Sequence, residues 1–156
     1  MMQINLINSP LSVQVDDADY PALSVHPWAL ARKRDKQYAV ARINGRGVYL
    51  HRLIMGAPML RVVDHIDGDG LNNRRSNLRV CTRSQNMGNS RQHCDASGKF
   101  KGVYYERNSG RYVAQICCRR RRTKLGRFAT PLDAARAYDT AARSAFGEFA
   151  KTNFGE

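Results

Sequence analysis

The chain has 156 residues, enough for one medium domain or two small ones, and a formal net charge of +13 from 26 Lys+Arg against 13 Asp+Glu. It has no apolar run long enough to span a bilayer and lacks the basic region and apolar core of a signal peptide, so we expect a cytoplasmic protein without a membrane partner. The positive excess favours a polyanion, and nucleic acid is the leading class of partner.

The N-terminal segment is predicted to form a small antiparallel β-meander. Trp28–Arg32 and Tyr38–Ile43 read as strands, and Asn44-Gly45 is typical of a tight hairpin leading into Val48–Leu50. A short helix is expected to follow. For His51, at its start, a packed structural role is favoured over a place facing a functional site or nucleic acid.

The central stretch carries one imidazole among acidic groups and amides. Arg61–Ile66 predicts a strand that ends on Asp64 and His65, and Leu78–Cys81 predicts a second strand. The loop between them is polar and rich in glycine, aspartate and asparagine.

A helix is predicted directly after the second strand. Thr82 and Gln85 have the spacing of a capping box, which places Asn86 in the opening turn of that helix. The order strand, loop, strand, helix can bring Asp64 and His65 opposite Asn86.

These side-chain types suit phosphodiester hydrolysis. The reaction needs a base for water, and a neutral histidine can be that base at neutral pH. A carboxylate together with a carboxamide oxygen suits a hard cation such as Mg²⁺, which stabilises charge on the phosphate and the leaving group.

Three segments of this stretch resemble the HNH nuclease family and are most similar to its phage and intron homing endonuclease branch. The segments are Val63-Asp64-His65-Ile66-Asp67, Asn77-Leu78-Arg79 and Thr82-x-x-Gln85-Asn86. The family's final histidine is replaced by asparagine, which is common in the homing branch and does not indicate inactivation.

The resemblance implies a ββα-metal finger with assigned roles. It makes His65 the general base, oriented by Asn77, which also ties the loop. It makes Asp64 and Asn86 the ligands of one metal ion, Mg²⁺ or Mn²⁺.

The cysteines allow one alternative metal site. Cys81, His93 and Cys94 could hold zinc, but their spacing fits no standard pattern. Free, reduced thiols are therefore expected.

The C-terminal 59 residues hold most of the charge excess, with 13 basic side chains against 5 acidic ones. Three strands are predicted at Gly98–Tyr105, Arg111–Cys117 and Lys124–Phe128. Thr130 caps a following helix, which Gly147 ends. A sheet of this kind can enter the major groove of DNA.

This third resembles the plant Apetala, or ethylene-response-factor, DNA-binding domain. The matching stretches are Phe100-Lys101-Gly102-Val103, Tyr112-Val113-Ala114-Gln115-Ile116, Leu125-Gly126-Arg127-Phe128, Ala134-Ala135-Arg136-Ala137-Tyr138-Asp139 and Thr152-Asn153-Phe154. Tyr104, Ser109 and Cys117 stand where plant members often carry arginine or tryptophan, so the plant target sequence does not transfer.

Six side chains are expected to contact double-stranded DNA. The basic strands and turn suggest four of them, although consecutive arginines can also form a merely solvated hairpin tip, and the resemblance adds two more. The six are Lys101, Arg111, Gln115, Arg119, Arg122 and Lys124.

Together these observations predict an α+β chain in three parts. A nuclease domain spans residues 1–90, with the β-meander in 1–60 and the ββα-metal finger in 61–90. A linker spans 91–97, and a three-stranded antiparallel sheet packed on one helix spans 98–156.

The predicted function is that of a homing-type DNA endonuclease in a bacterial or phage-infected cell, with no small-molecule substrate. Two alternatives stay open: a DNA-binding regulator with an inactive nuclease fold, and RNA or ribosome binding. The last does not explain Asp64, His65 and Asn86. Oligomeric state, and nicking against double-strand cleavage, are left undecided.

Overall fold

The computed structural model describes residues 1–90 and 100–155 as an α+β chain with several small antiparallel sheets and short helices. Contacts divide the chain into two compact units, Met1–Thr82 and Arg83–Glu156. The predicted linker, residues 91–97, lies outside the described residues, as do His93 and Cys94.

The first unit pairs its strands locally. β1 pairs with β2, β3-β4-β5 form a three-stranded meander, and β6 pairs with β7, all antiparallel. The elements are β1 (Met2–Asn5), β2 (Ser12–Val15), α1 (Tyr20–Ser24), β3 (Ala29–Lys33), β4 (Lys36–Ile43), β5 (Arg46–Tyr49), α2 (Leu50–Met55), β6 (Val62–His65) and β7 (Leu78–Cys81).

The predicted meander and its tight turn are confirmed. Asn44 and Gly45 both have positive φ angles, 50° and 77°, which the hairpin turn between β4 and β5 requires. The sequence reading did not find β2, whose pairing with β1 brings residues ten or so positions apart into register.

The core of the first unit is built around Trp28, which is fully buried. Its indole nitrogen donates a hydrogen bond to the Leu23 carbonyl over 2.8 Å, so the polar end of the ring is satisfied inside the core. Val13 and Val15 of β2 and Leu50 of α2 pack into the same cluster, and Val63 and Leu78 join it from β6 and β7. The strand ends that carry Asp64 and His65 thus rest on a continuous apolar base.

The second unit contains a sheet of order β10-β9-β8 and a long helix. Its elements are α3 (Arg83–Gly88), β8 (Val103–Glu106), β9 (Arg111–Cys118), β10 (Arg121–Phe128) and α4 (Pro131–Phe146). The predicted sheet of three antiparallel strands backed by one helix is present, since Val103 and Ala114 of the sheet share a buried cluster with Ala134 and Ala135 of α4.

The first strand of this sheet is shorter than predicted. Expected over Gly98–Tyr105, it begins only at Val103 in the described residues. Gly102 has a φ of +74°, and a β-carbon there would lie 2.1 Å from the Tyr138 ring. The close approach of this left-handed backbone to α4 sets the start of the strand.

Helix α4 follows its local sequence signals. Thr130 lies at the N-cap, where its hydroxyl accepts from the Asp133 amide at 3.2 Å and donates to the Asp133 carboxylate at 2.7 Å. Gly147, with positive φ, ends the helix as predicted.

Two further features shape the strands β9 and β10. Arg119 and Arg120 form the turn between them, both with positive φ. A β-bulge interrupts the register between Lys124 and Gly126 of β10.

Within residues 1–90 and 100–155, no helix is both long and apolar enough to cross a membrane. In the same ranges Cys81, Cys117 and Cys118 take part in no disulfide bond.

Candidate active site and nucleic-acid interface

Strands β6 and β7 place a carboxylate and an imidazole side by side in the first unit. In the antiparallel register Asp64 lies opposite Arg79, and His65 opposite Leu78. The Arg79 guanidinium contacts the Asp64 Oδ2 atom through Nε at 3.0 Å and Nη2 at 2.9 Å. Asp64 is 4% exposed, so this fork of donors fixes the carboxylate and balances its charge.

His65 is buried next to an asparagine that the sequence reading did not single out. Its Nε2 lies 3.4 Å from the Oδ1 atom of Asn73, a long hydrogen bond. Because an amide oxygen only accepts, this contact fits the tautomer of His65 that carries its proton on Nε2.

Burial determines the protonation state of this imidazole. The pKa of His65 is lowered by desolvation, against the opposing effects of the Asn73 hydrogen bond and the carboxylates of Asp67 and Asp64. His65 is therefore neutral at neutral pH, which is the form that can accept a proton.

Asn77 ties the loop that follows His65. Its Oδ1 accepts from the Asp67 amide at 3.1 Å, and its Nδ2 donates to Asp67 Oδ1 at 2.9 Å and to the Asn72 carbonyl at 2.8 Å. The Asp67 carboxylate also accepts from the Asn72 side chain and the Asp69 amide. These side-chain contacts fit the loop-tying half of the role implied for Asn77, whereas the carboxamide that reaches His65 is that of Asn73.

Strand β2 and the N-cap residue of α1 also hold this loop. Gln14 of β2 forms a bridge with Asn72, and its carbonyl accepts from the Asn73 amide at 2.8 Å. The Arg75 guanidinium pairs with Asp19 through two contacts of 2.8 Å. The position of Asn73 is thereby fixed by residues nearly sixty positions away, which local pattern could not reveal.

Aromatic rings pack around His65. The His51 ring lies edge-on to the His65 ring with centroids 5.0 Å apart, and Tyr38 lies 5.5 Å and 6.0 Å from the two histidines. Desolvation, then the neighbouring His65, lowers the pKa of His51 to about 3. Among the described residues, His51 Nδ1 is the buried side-chain nitrogen left without a hydrogen-bond partner. His51 thus packs directly against His65 and faces the candidate site, which is the option that the sequence did not favour.

Asn86, the fourth residue of the proposed catalytic set, lies half-buried on α3 in the second unit. Its carboxamide and the Asp64 carboxylate supply oxygen donors of the kind that Mg²⁺ and Mn²⁺ prefer. In residues 1–90 and 100–155, no three His, Cys, Asp or Glu side chains form a group that could hold a metal ion.

Four of the predicted DNA-contacting residues share one face of the second unit's sheet. Partners across an antiparallel pair point to the same side, and side chains alternate along each strand. Tyr112 and Ala114 of β9 face α4, so the intervening side chains face away from the helix. With the pairing of β9 and β10, the face away from α4 carries Arg111, Gln115, Arg122 and Lys124.

The other two predicted contacts lie elsewhere. Arg119 is exposed at the turn between β9 and β10. Lys101 precedes β8, and its ammonium donates to the carbonyls of Gly88 at 2.6 Å and Lys151 at 3.2 Å. The hydrogen bonds of this ammonium are therefore to backbone oxygens inside the second unit.

The same outer face carries an acid and a base that the sequence reading passed over. Glu106 pairs with Arg127 at 2.6 Å and with Lys124 at 3.3 Å. Hydrogen bonds, first from Arg127 and then from Ser109, lower the pKa of Glu106 to about 2. The cationic face therefore also carries an acidic side chain. Glu106 of β8 pairs with Arg111 of β9, so the predicted strands could have placed it on the same face as Arg111.

Two family models match the chain. A model described as HNH endonuclease matches residues 58–88, and a model described as AP2 domain matches residues 98–148. No solved structure matches significantly.

Relatives of two kinds are found. An uncharacterized HNH endonuclease of Acanthamoeba polyphaga mimivirus is 32% identical over 140 residues, which cover 86% of this chain and 70% of the relative. The dehydration-responsive element-binding protein 2A of Oryza sativa, in both subspecies indica and japonica, is 46% identical over 59 residues. That match covers 36% of this chain and only 21% of the rice proteins. Both resemblances drawn from the sequence are confirmed.

Proposed function

The chain belongs to the HNH endonuclease family and carries an AP2 domain, and from this premise we propose that it is a homing-type endonuclease that hydrolyses double-stranded DNA with one divalent metal ion. The observation that carries the proposal is the buried His65, which follows the buried Asp64 at the end of β6. Its Nε2 is held by Asn73 and its neighbour Asp64 by Arg79.

The proposed reaction starts with the His65 imidazole. Its Nδ1 takes a proton from a water molecule as the water oxygen bonds to phosphorus and the bond from phosphorus to the leaving oxygen breaks. Asn73 keeps the proton on Nε2, and burial keeps the ring uncharged before the reaction. Asn77 acts indirectly, because its bond to the Asn72 carbonyl fixes the loop that carries Asn73.

Asp64 and Asn86 are the metal ligands in this proposal. When bound, Mg²⁺ or Mn²⁺ supplies the positive charge that stabilises the developing charge on the phosphate and the leaving oxygen. The assignment rests on the family resemblance and on the oxygen donors that the two side chains offer.

The outer face of the second unit's sheet is the proposed DNA contact surface. Arg111, Gln115, Arg122 and Lys124 share this face, and Arg119 extends it at the adjoining turn. Exposed cations neutralise phosphates, while Gln115 in the middle strand has the groups to bond a base edge.

A plasmid-cleavage assay in Mg²⁺ tests the proposal against the alternative of a DNA-binding regulator. His65→Ala should reduce cutting by about 100-fold or more, the usual contribution of a general base, while binding to the same plasmid is retained. His26→Ala is the matched control. It removes a half-buried histidine of the same unit, which packs against Trp28. Equal cutting by the His65 variant would exclude His65 as the base, and an inert wild-type chain would favour the regulator.

A further inference from the structure

The helix that carries Asn86 is too short to be stable alone. Helix α3 has six residues, Arg83–Gly88, and isolated helices of this length do not persist in water. Its sequence, Arg-Ser-Gln-Asn-Met-Gly, offers little apolar surface and ends on a glycine. Its position therefore depends on what holds its two ends.

The C-terminal end of α3 is held by Lys101. The Gly88 carbonyl, one of the terminal acceptors of the helix, receives the Lys101 ammonium at 2.6 Å and the Lys151 amide at 3.1 Å. The same ammonium bonds the Lys151 carbonyl and lies 5.9 Å above the Tyr138 ring. A cation at this end satisfies a carbonyl that the helix leaves unpaired and complements the helix dipole.

The backbone of α3 also lies directly against the end of α4. A β-carbon on Gly88 would lie 2.7 Å from Cγ of Phe146 and 2.9 Å from the Phe149 carbonyl oxygen. Gly88 is buried, so the missing side chain is what allows this approach.

The N-terminal end of α3 is held by the turn between β9 and β10. The Arg119 amide donates to the Ser84 hydroxyl at 3.3 Å, and Cys118 Sγ lies 3.8 Å from the same oxygen. Asn86 lies midway, two residues from Ser84 and two from Gly88. Both ends of the helix that presents it are thus held by residues of the AP2 domain.

We propose that Lys101 is a positioning residue for Asn86, and that the AP2 domain sets the position of the metal-binding helix of the nuclease as well as binding DNA. The proposal rests on the proposed function, in which Asn86 is a metal ligand. Lys101 occupies a place where the domain resemblance implies a DNA contact, but here its ammonium faces backbone carbonyls of its own unit. A residue of the DNA-binding domain thereby serves the nuclease chemistry.

The test uses the full chain with Lys101→Met, which keeps the stem and removes the donor. We expect its affinity for Mn²⁺, measured by calorimetry without DNA, to fall by about 10-fold or more, in line with outer-shell partners of metal ligands. The metal concentration for half-maximal cutting should rise to match, while DNA affinity in EDTA stays within about twofold at fixed salt. Lys101→Arg keeps a cationic donor and should recover much of the metal affinity. Arg136→Met, which removes an exposed cation from α4, should change neither quantity.

A second variant guards against misfolding of the first. Gly88→Ala should displace α3 from Phe146 and weaken Mn²⁺ binding in the same way, with thermal unfolding checked for each variant. Unchanged Mn²⁺ affinity combined with weaker DNA binding in Lys101→Met would overturn the proposal and restore Lys101 as a DNA contact. Equal cutting by His65→Ala would instead refute the catalytic assignment while leaving the Mn²⁺ result to judge Lys101.

Discussion

The loop between β6 and β7 and the outer face of the second unit's sheet are built from opposite kinds of polar group. The loop interlocks neutral amides around one carboxylate, and Asn73 and Asn77 are buried within it. The sheet face displays exposed cations, with Glu106 as the acid among them.

The polar groups of the two regions are expected to act differently, through exact position in the loop and through total charge on the sheet face. In the loop, each amide has partners on several sides, so function depends on positions held to fractions of an ångström. On the sheet face, cations act through the sum of their charges, and each can be lost at a modest, salt-dependent cost. The loop should therefore tolerate almost no change, and the sheet face should respond in small increments.

The largest effect is expected from adding one methyl group at Gly70, within this loop. At Gly70 a β-carbon would lie 2.0 Å from the Gln37 carbonyl oxygen and 2.8 Å from the Tyr38 ring. Because backbone cannot yield like a side-chain tip, Gly70→Ala should lower the free energy of unfolding by about 3 kcal/mol and abolish cutting. Gly47→Ala, where a β-carbon meets nothing within 4 Å, should stay within about 0.5 kcal/mol of wild type in denaturant titrations. Equal behaviour of the two variants would contradict the view of the loop as rigid.

A smaller loss should follow removal of the Asn73 carboxamide. Asn73→Ala should reduce cutting by about 100-fold through misorientation of His65, with DNA affinity unchanged. Asn5→Ala removes an exposed amide from the same unit and serves as control.

The pH dependence of cutting tests the direction in which the pKa of His65 is shifted. A histidine acts as a base when it is neutral, and burial lowers the pKa of His65 below 6.5. The acid limb of the wild-type rate, the pH at which cutting drops to half on the acid side, should therefore lie below 6.5. The Asn73 hydrogen bond raises that pKa, so the limb of Asn73→Ala should move to still lower pH. A limb above 6.5 would mean that burial does not control His65.

These loop contacts mark the limit of what the sequence could reveal. The strand that bears Asp64 and His65 follows from the local sequence, and the choice of these two residues follows from their chemistry and the family resemblance. Helix α4 follows from Thr130 and Gly147. The contact of Asn73 with His65 depends on Gln14 of β2 and on Asp19 at the N-cap of α1, so no spacing within the loop encodes it. Likewise α3 has a local start signal at Thr82, but its attachment to Lys101 is set by packing in the second unit.

On the sheet face, removing the charge of one basic side chain at a time should weaken DNA binding by a modest amount each time. Arg122→Gln and Lys124→Gln should each weaken DNA binding several-fold and reduce the slope of log affinity against log salt by about one. Arg136→Gln makes the same charge change on α4 and should leave the slope unaltered. An effect of Arg136→Gln equal to the others would indicate that net charge, rather than this face, binds DNA.

The smallest effect should come from the acid on that face, and with the opposite sign. Glu106→Gln releases Lys124 and Arg127 from their carboxylate and should tighten DNA binding by about two- to fivefold at low salt. Arg127 and Ser109 hold the pKa of Glu106 at about 2, so its protonation should not alter wild-type affinity between about pH 4 and 8. Weaker binding by Glu106→Gln would show that the carboxylate organises the face instead of opposing DNA.

The bulge in β10 has a consequence for which substitutions and deletions this domain can accept. Before it, even-numbered residues such as Arg122 and Lys124 point away from α4; after it, odd-numbered Arg127 does. The extra residue inverts the phase of the strand, so Phe128 joins the apolar cluster beneath the sheet while Arg127 stays in solvent. If the bulge closed with Leu125 opposite Ala114, Arg127 would take the inward position and Phe128 the outward one, whereas deletion of Leu125 would keep Gly126 opposite Ala114 and leave both side chains where they are. The domain should therefore accept loss of the bulged residue more readily than closure of the bulge with all eight residues of β10 in place.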